Sequence, residues 1–108
     1  MELYDAVETL EALAHRTRLG VFRLLVKAGR NGLSAGEIAN TLGARQNTMS
    51  SHLHKLQRAG IVTSEREGRN IIYRADYEIM GQLMVYLLED CCRGEARVCN
   101  PVAASINC

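Results

Sequence analysis

The stretch Gln46-Asn47-Thr48-Met49-Ser50-Ser51-His52-Leu53-His54-Lys55-Leu56 decides the fold. Met49, Leu53 and Leu56 recur at helical spacing and define one buried stripe. Around the stripe lie Gln46, Asn47, Thr48, Ser50, Ser51, His52, His54 and Lys55, all polar. Upstream, Ser34-Ala35-Gly36-Glu37 has serine and glutamate at the spacing of a capping box. It predicts a short helix with Ile38, Ala39 and Leu42 inside, closed by Gly43. Two helices joined by so short a turn form a helix-turn-helix.

Working outward, Ile61–Arg66 and Asn70–Arg74 are β-rich and flank Glu67-Gly68-Arg69. They predict a hairpin, the wing. Leu3, Ala6, Val7, Leu10, Leu13 and Ala14 predict a first helix, buried on that face. His15 to Ala28 predicts a second, with Leu19, Phe22, Leu25 and Val26 turned inward. Tyr77 to Asp90 predicts the last, with a wide apolar face of Ile79, Met80, Leu83, Met84, Leu87 and Leu88, to which Val85 adds. The expected fold is mainly α with a small β-hairpin, in the order α-α-α-α-β-β-α. Residues 1–92 read as the winged-helix DNA-binding and dimerisation domain. Residues 93–108 read as a tail that completes a thiol effector site. The tail lacks periodicity, and Pro101 argues against a helix there.

The formal net charge is only +1. Its distribution is uneven. Residues 1–14 carry four acids and no bases, residues 15–64 eight bases and one acid (Glu37), and residues 75–108 two bases and five acids. A basic middle with acidic flanks is the electrostatic footprint of a phosphate-binding surface. Gln46 and Asn47 amides can pair with adenine edges, and the Thr48, Ser50 and Ser51 hydroxyls with bases or phosphate. His54 completes this set. Lys55, Arg58, Arg45 and the wing's Arg69 suit phosphate or the minor groove. The partner this predicts is double-stranded operator DNA. The acidic N-terminus does not resemble a signal peptide. The apolar run Met80–Leu88 is far short of the roughly 20 residues that span a bilayer. The expectation is a cytoplasmic protein with no membrane partner.

Residues 10–75 resemble the ArsR/SmtB family of winged-helix repressors. The resemblance rests on Leu10-Glu11-Ala12-Leu13-Ala14-His15-Arg16-Thr17-Arg18-Leu19, on Leu42 to Leu56, on Ala59-Gly60-Ile61-Val62 and on Glu67-Gly68-Arg69-Asn70-Ile71-Ile72-Tyr73. His15-Arg16 stands where the family often has Asp-Pro, and Arg45 where it usually has a capping serine. Asn47 is the substitute cap. The resemblance implies a homodimer built from the first and last helices. The wide apolar faces of those helices support it independently, being more than a lone small domain needs.

All four cysteines lie in the last 18 residues: Cys91, Cys92, Cys99 and Cys108. Neighbouring α-carbons sit about 3.8 Å apart, short of the roughly 4.4–6.8 Å of an ordinary disulfide. Cys91 and Cys92 therefore suit one thiophilic ion better than each other. Cys91, Cys92 and Cys99 supply the three sulfurs that trivalent arsenic takes, whereas zinc prefers four ligands. Side chains of adjacent helical residues point about 100° apart, so the helix must end or distort near the pair. Gly94 offers a stop.

The same arrangement resembles family members that sense trivalent arsenic with C-terminal cysteines. A familiar arsenic site, a cysteine pair in the first helix of the motif, is absent. A familiar zinc site on the last helix lacks its histidines. The expected function is a repressor released from its operator by arsenic(III), with arsenite or antimonite as effector and no catalytic cofactor. The alternative is a redox or persulfide-sensing repressor using the same thiols. No Cys-x-x-Cys occurs and no histidine lies near the thiols in sequence, which argues against a thiol enzyme.

Overall fold

The computed structural model describes residues 1–89 together with Pro101 and Ser105. Within residues 1–89, five α-helices pack with a small antiparallel sheet. In chain order these are α1 (Leu3–Leu13), α2 (Arg16–Ala28), a single 3-10 turn (Gly29–Asn31), β1 (Leu33–Ser34), α3 (Ala35–Leu42), α4 (Gln46–Arg58), β2 (Val62–Glu67), β3 (Asn70–Ala75) and α5 (Tyr77–Leu88). The order of helices and of the hairpin is the expected one.

The sheet is larger by one strand than the sequence indicated. Its order is β1-β3-β2, with Leu33 opposite Tyr73 and Ser34 opposite Ile72. Two residues cannot display an alternating pattern, so β1 leaves no periodic signal. Its entry point is nonetheless specified. Gly32 has φ +63°, and a Cβ there would stand 2.6 Å from the Tyr73 carbonyl oxygen. Only glycine lets the chain approach β3 that closely.

The helix ends follow local chemistry. Ser34 accepts a hydrogen bond from the Glu37 amide at 3.2 Å, and Glu37 accepts one from the Ser34 amide at 3.1 Å. This is the expected capping box, and Gly43 closes α3 in the left-handed conformation. Asp76 caps α5 by accepting from the Ile79 amide at 3.1 Å. Glu89 is already extended, so α5 stops two residues before the expected Asp90. Pro101 and Ser105 have helical backbone, against the expectation for the tail.

The core gathers Val21, Phe22 and Leu25 of α2, Ile38 and Ala39 of α3, and Met49, Leu53 and Leu56 of α4. Ile61, Val62 and Ala75 close it from the sheet side. The α4 stripe is wholly buried, as its spacing predicted. Burying each such side chain stabilises the fold by about 1.5–3 kcal/mol.

Elsewhere the inward faces differ from the expected ones. In α1 the buried residues are Ala6, Thr9 and Ala12, while Leu3, Val7 and Leu10 are exposed. Thr9 tolerates burial because its hydroxyl donates to the Asp5 carbonyl at 2.9 Å. In α2, Val21 is buried and Leu19 is exposed, and in α3 Leu42 is exposed. In α5 only Leu83 is buried, whereas Met84, Val85 and Leu87 lie open. Periodicity identifies an apolar face but not what covers it.

Candidate nucleic-acid interface

The turn Gly43–Arg45 joins α3 to α4, and its bend is held by the Ala44 amide donating to the Ala39 carbonyl at 3.0 Å. The core contacts of Met49, Leu53 and Leu56 then fix which side of α4 faces outward. Arg45, Gln46, Asn47, Thr48, Ser50, Ser51, His54 and Lys55 are all exposed, as is Arg69 at the wing tip. Every residue expected to meet DNA therefore lies on the open surface. No acid occurs between Glu37 and Glu65, so α4 itself carries no group that repels phosphate.

Several of these side chains are partly committed. Arg45 has extended backbone and makes no capping bond with its side chain. That leaves the Gln46 and Asn47 amides open and, among the described residues, the guanidinium without a partner, a suitable arrangement for an anion at a helix N-terminus. Asn47 accepts from the adjacent Thr48 amide at 2.8 Å; it lies inside the first turn, and the cap stays at Arg45 instead of moving to Asn47 as expected. Its carbonyl is thereby occupied. Ser50 donates back to the Gln46 carbonyl at 3.1 Å. The Gln46 side chain makes no hydrogen bond among the described residues, so both ends of its amide remain available to a base edge.

The wing is braced at both ends. Gln57, near the end of α4, donates to the Ser64 hydroxyl at 2.7 Å. Arg74 donates to the Arg30 carbonyl at 2.7 Å and to Glu67 at 2.7 Å, with Glu65 at 3.4 Å. Arg74 thus pairs with both of the wing's acids, and with Arg66 and Arg69 the hairpin keeps a net charge of +1. The sequence reading missed Gln57 and Arg74. Cross-strand register, with Thr63 opposite Arg74 and Glu65 opposite Ile72, brings Arg74 within reach of both glutamates.

His52 departs from the exposed face on which its spacing put it. It is half-buried and turned toward α2. Its ring centroid lies 4.7 Å from that of His15, and the Arg18 guanidinium lies 3.5 Å from its Nδ1. Burial, and then His15, Arg18 and Lys55, hold the His52 pKa below its ordinary value. His15 itself caps α2, accepting from the Thr17 amide at 3.1 Å.

Cys91, Cys92, Cys99 and Cys108 lie outside the described residues. Among the described residues no cluster of three or more His, Cys, Asp or Glu is placed to hold a metal ion, and no helix is long and apolar enough to cross a membrane.

A winged helix-turn-helix with a polar, acid-free second helix defines a DNA-binding transcriptional regulator. The helix-turn-helix domain model matches residues 13–65. The transcriptional repressor SmtB of Mycobacterium tuberculosis is 38% identical over 80 residues, covering 72% of this chain and 57% of that protein. The homodimeric winged helix-turn-helix DNA-binding domain of a possible ArsR-family regulator from Mycobacterium bovis superposes with a TM-score of 0.67. It has 25% identity and covers 84% of this chain and 82% of that one. A possible transcriptional regulator for arsenical resistance gives a TM-score of 0.67 at 28% identity, over 93% of this chain and 98% of that one. The chain belongs to the ArsR/SmtB family of transcriptional regulators. It is a regulator and not an enzyme.

Proposed function

We propose that the protein is a homodimeric cytoplasmic repressor that leaves its operator when trivalent arsenic binds Cys91, Cys92 and Cys99. The observation that carries the DNA half is the exposed, acid-free face of α4 beside the braced wing. The dimer is supported by the apolar side chains left open on α1 and α5. The effector is supported by three soft thiolates, which match the three-sulfur preference of arsenic(III). It is also supported by the end of α5 at Leu88, since the chain leaves the helical path before reaching the adjacent cysteines. The similar regulator for arsenical resistance is consistent with this effector.

Arsenic bound beyond the last helix alters how the dimer helices meet, and so the spacing of the two recognition helices. The coupling required is on the order of 1–3 kcal/mol, and DNA must weaken arsenic binding by the same factor. The decisive experiment is anaerobic titration of the reduced protein with arsenite, following sulfur-to-arsenic absorbance and counting thiols. One arsenic per chain consuming three thiols is expected. Cys91→Ser, Cys92→Ser and Cys99→Ser should each abolish release from DNA while sparing DNA binding. Normal release in all three variants would overturn the assignment.

A further inference from the structure

We propose that Arg18 is a positioning residue for the recognition helix, tying α1 to α4 through His52, and that this tie holds only while the His52 imidazole is neutral. The geometry is a short relay. Arg18 Nε donates to the Ala12 carbonyl at 2.6 Å, near the end of α1. A second nitrogen of the same guanidinium lies 3.5 Å from His52 Nδ1. Guanidinium has donors only, so this contact requires a lone pair on Nδ1 and the ring proton on Nε2. His52 sits between Ser51 and Leu53, beside the exposed face and next to the buried stripe. A bond at that point sets the rotation and depth of α4 relative to α1. Reading bases needs such precision, because a recognition helix offers only a few side chains to the groove.

A proton taken from solvent by His52 removes the acceptor and places a cation against Arg18. The surroundings make that unfavourable. His15 faces the ring from the start of α2, Arg18 from its first turn, and Lys55 from α4 itself. Glu8 and Glu11 of α1 line the neighbouring cleft with Arg18, Lys55 and Arg58, yet neither forms an ion pair with them among the described residues.

The proposal rests on DNA binding and not on the effector. The test uses full-length wild type, His52→Gln and Arg18→Met. Glutamine keeps an acceptor for Arg18 but cannot titrate. The probe is a duplex selected from a random-sequence library by the wild-type protein at about pH 7.5. Between about pH 7.5 and pH 5.5, wild type should lose about threefold to tenfold in affinity relative to His52→Gln, the worth of a hydrogen bond. His54 is common to both and cancels. Arg18→Met should weaken binding by a similar factor at the higher pH with an unchanged salt slope. A slope reduced by about one would make Arg18 a phosphate contact instead. Should Arg18→Met fail to fold, Arg18→Lys keeps the charge, loses the planar fork, and carries the same expectation.

Hydrogen exchange of the α4 amides without DNA, corrected for intrinsic pH dependence, separates this relay from the DNA reading. Protection should fall with pH in wild type more than in His52→Gln. Parallel affinity profiles, or equal protection in the two proteins, would overturn the proposal.

Discussion

Helices α4 and α5 both carry apolar residues at helical spacing, three in α4 and a wide face in α5, and meet opposite fates. In α4 every residue of the stripe is fully buried, and the polar face is what remains outside. In α5 only Leu83 is buried, while Val85 is 66% exposed and Met84 and Leu87 are nearly half exposed. On α1, Leu3, Tyr4, Val7 and Leu10 are left open in the same way. One helix is finished within a single chain and the other two are not. Several large apolar side chains left open on the same helix suit an interaction surface on a small protein. The recognition helix thus rests on an internal core, and on the dimeric reading proposed above the terminal helices hold the surface for a second copy.

The sharpest way to break that contrast is Leu53→Ala. A buried leucine truncated to alanine costs about 2–5 kcal/mol, a large fraction of what a small domain possesses. Urea denaturation should show a lowered midpoint, and DNA binding should fall with the folded fraction. Val85→Glu should behave in the opposite manner. The monomer fold should tolerate a charge at an exposed position, so far-UV circular dichroism stays native. Sedimentation should show dissociation, and operator affinity should fall by about 10²-fold or more as the two half-sites lose their shared attachment. A dimeric Val85→Glu protein would sink the reading of α5 as an interface.

On the DNA face the effects are smaller. Gln46→Ala should relax base preference at one position by about 1–3 kcal/mol without changing the salt slope. Arg69→Ala should weaken all sequences alike and lower that slope by about one. Competition binding over a salt series distinguishes the two.

The smallest effect concerns pH. The folded chain holds the His52 pKa below its ordinary value near 6.5, so the unfolded chain binds the proton more readily. The stability associated with neutral His52 is fully present above about pH 6.5 and declines as pH falls below it. Thermal melts should show wild type losing more stability than His52→Gln on acidification. A larger loss in the variant would reverse the sign.

Much of this was legible in advance because it is local. The capping box at Ser34 and Glu37, the glycine stop at Gly43 and the α4 stripe each depend on residues within a turn or two. The residues expected at the DNA face are exposed; for those on α4 this follows because the stripe that buries one side dictates the other. The strand at Leu33–Ser34 was not legible, because its partner lies 40 residues away and two residues show no period. Nor was the relay from Ala12 through Arg18 to His52. A histidine on a helix has the same spacing whether it faces solvent or a neighbouring guanidinium.

The sequence by itself determined which segments of residues 1–89 are helical, where they start and most of where they stop, and which face of α4 is polar; α5 ends at Leu88, short of the expected Asp90. The hydrogen bonds and periodicities responsible span only a few residues. Tertiary structure alone decided which apolar faces are covered and which stay open, why Arg74 is spent on the wing's glutamates, and how His52 meets Arg18. Those outcomes depend on which distant segments come into contact, and one chain's local pattern does not encode its neighbour's distance or direction.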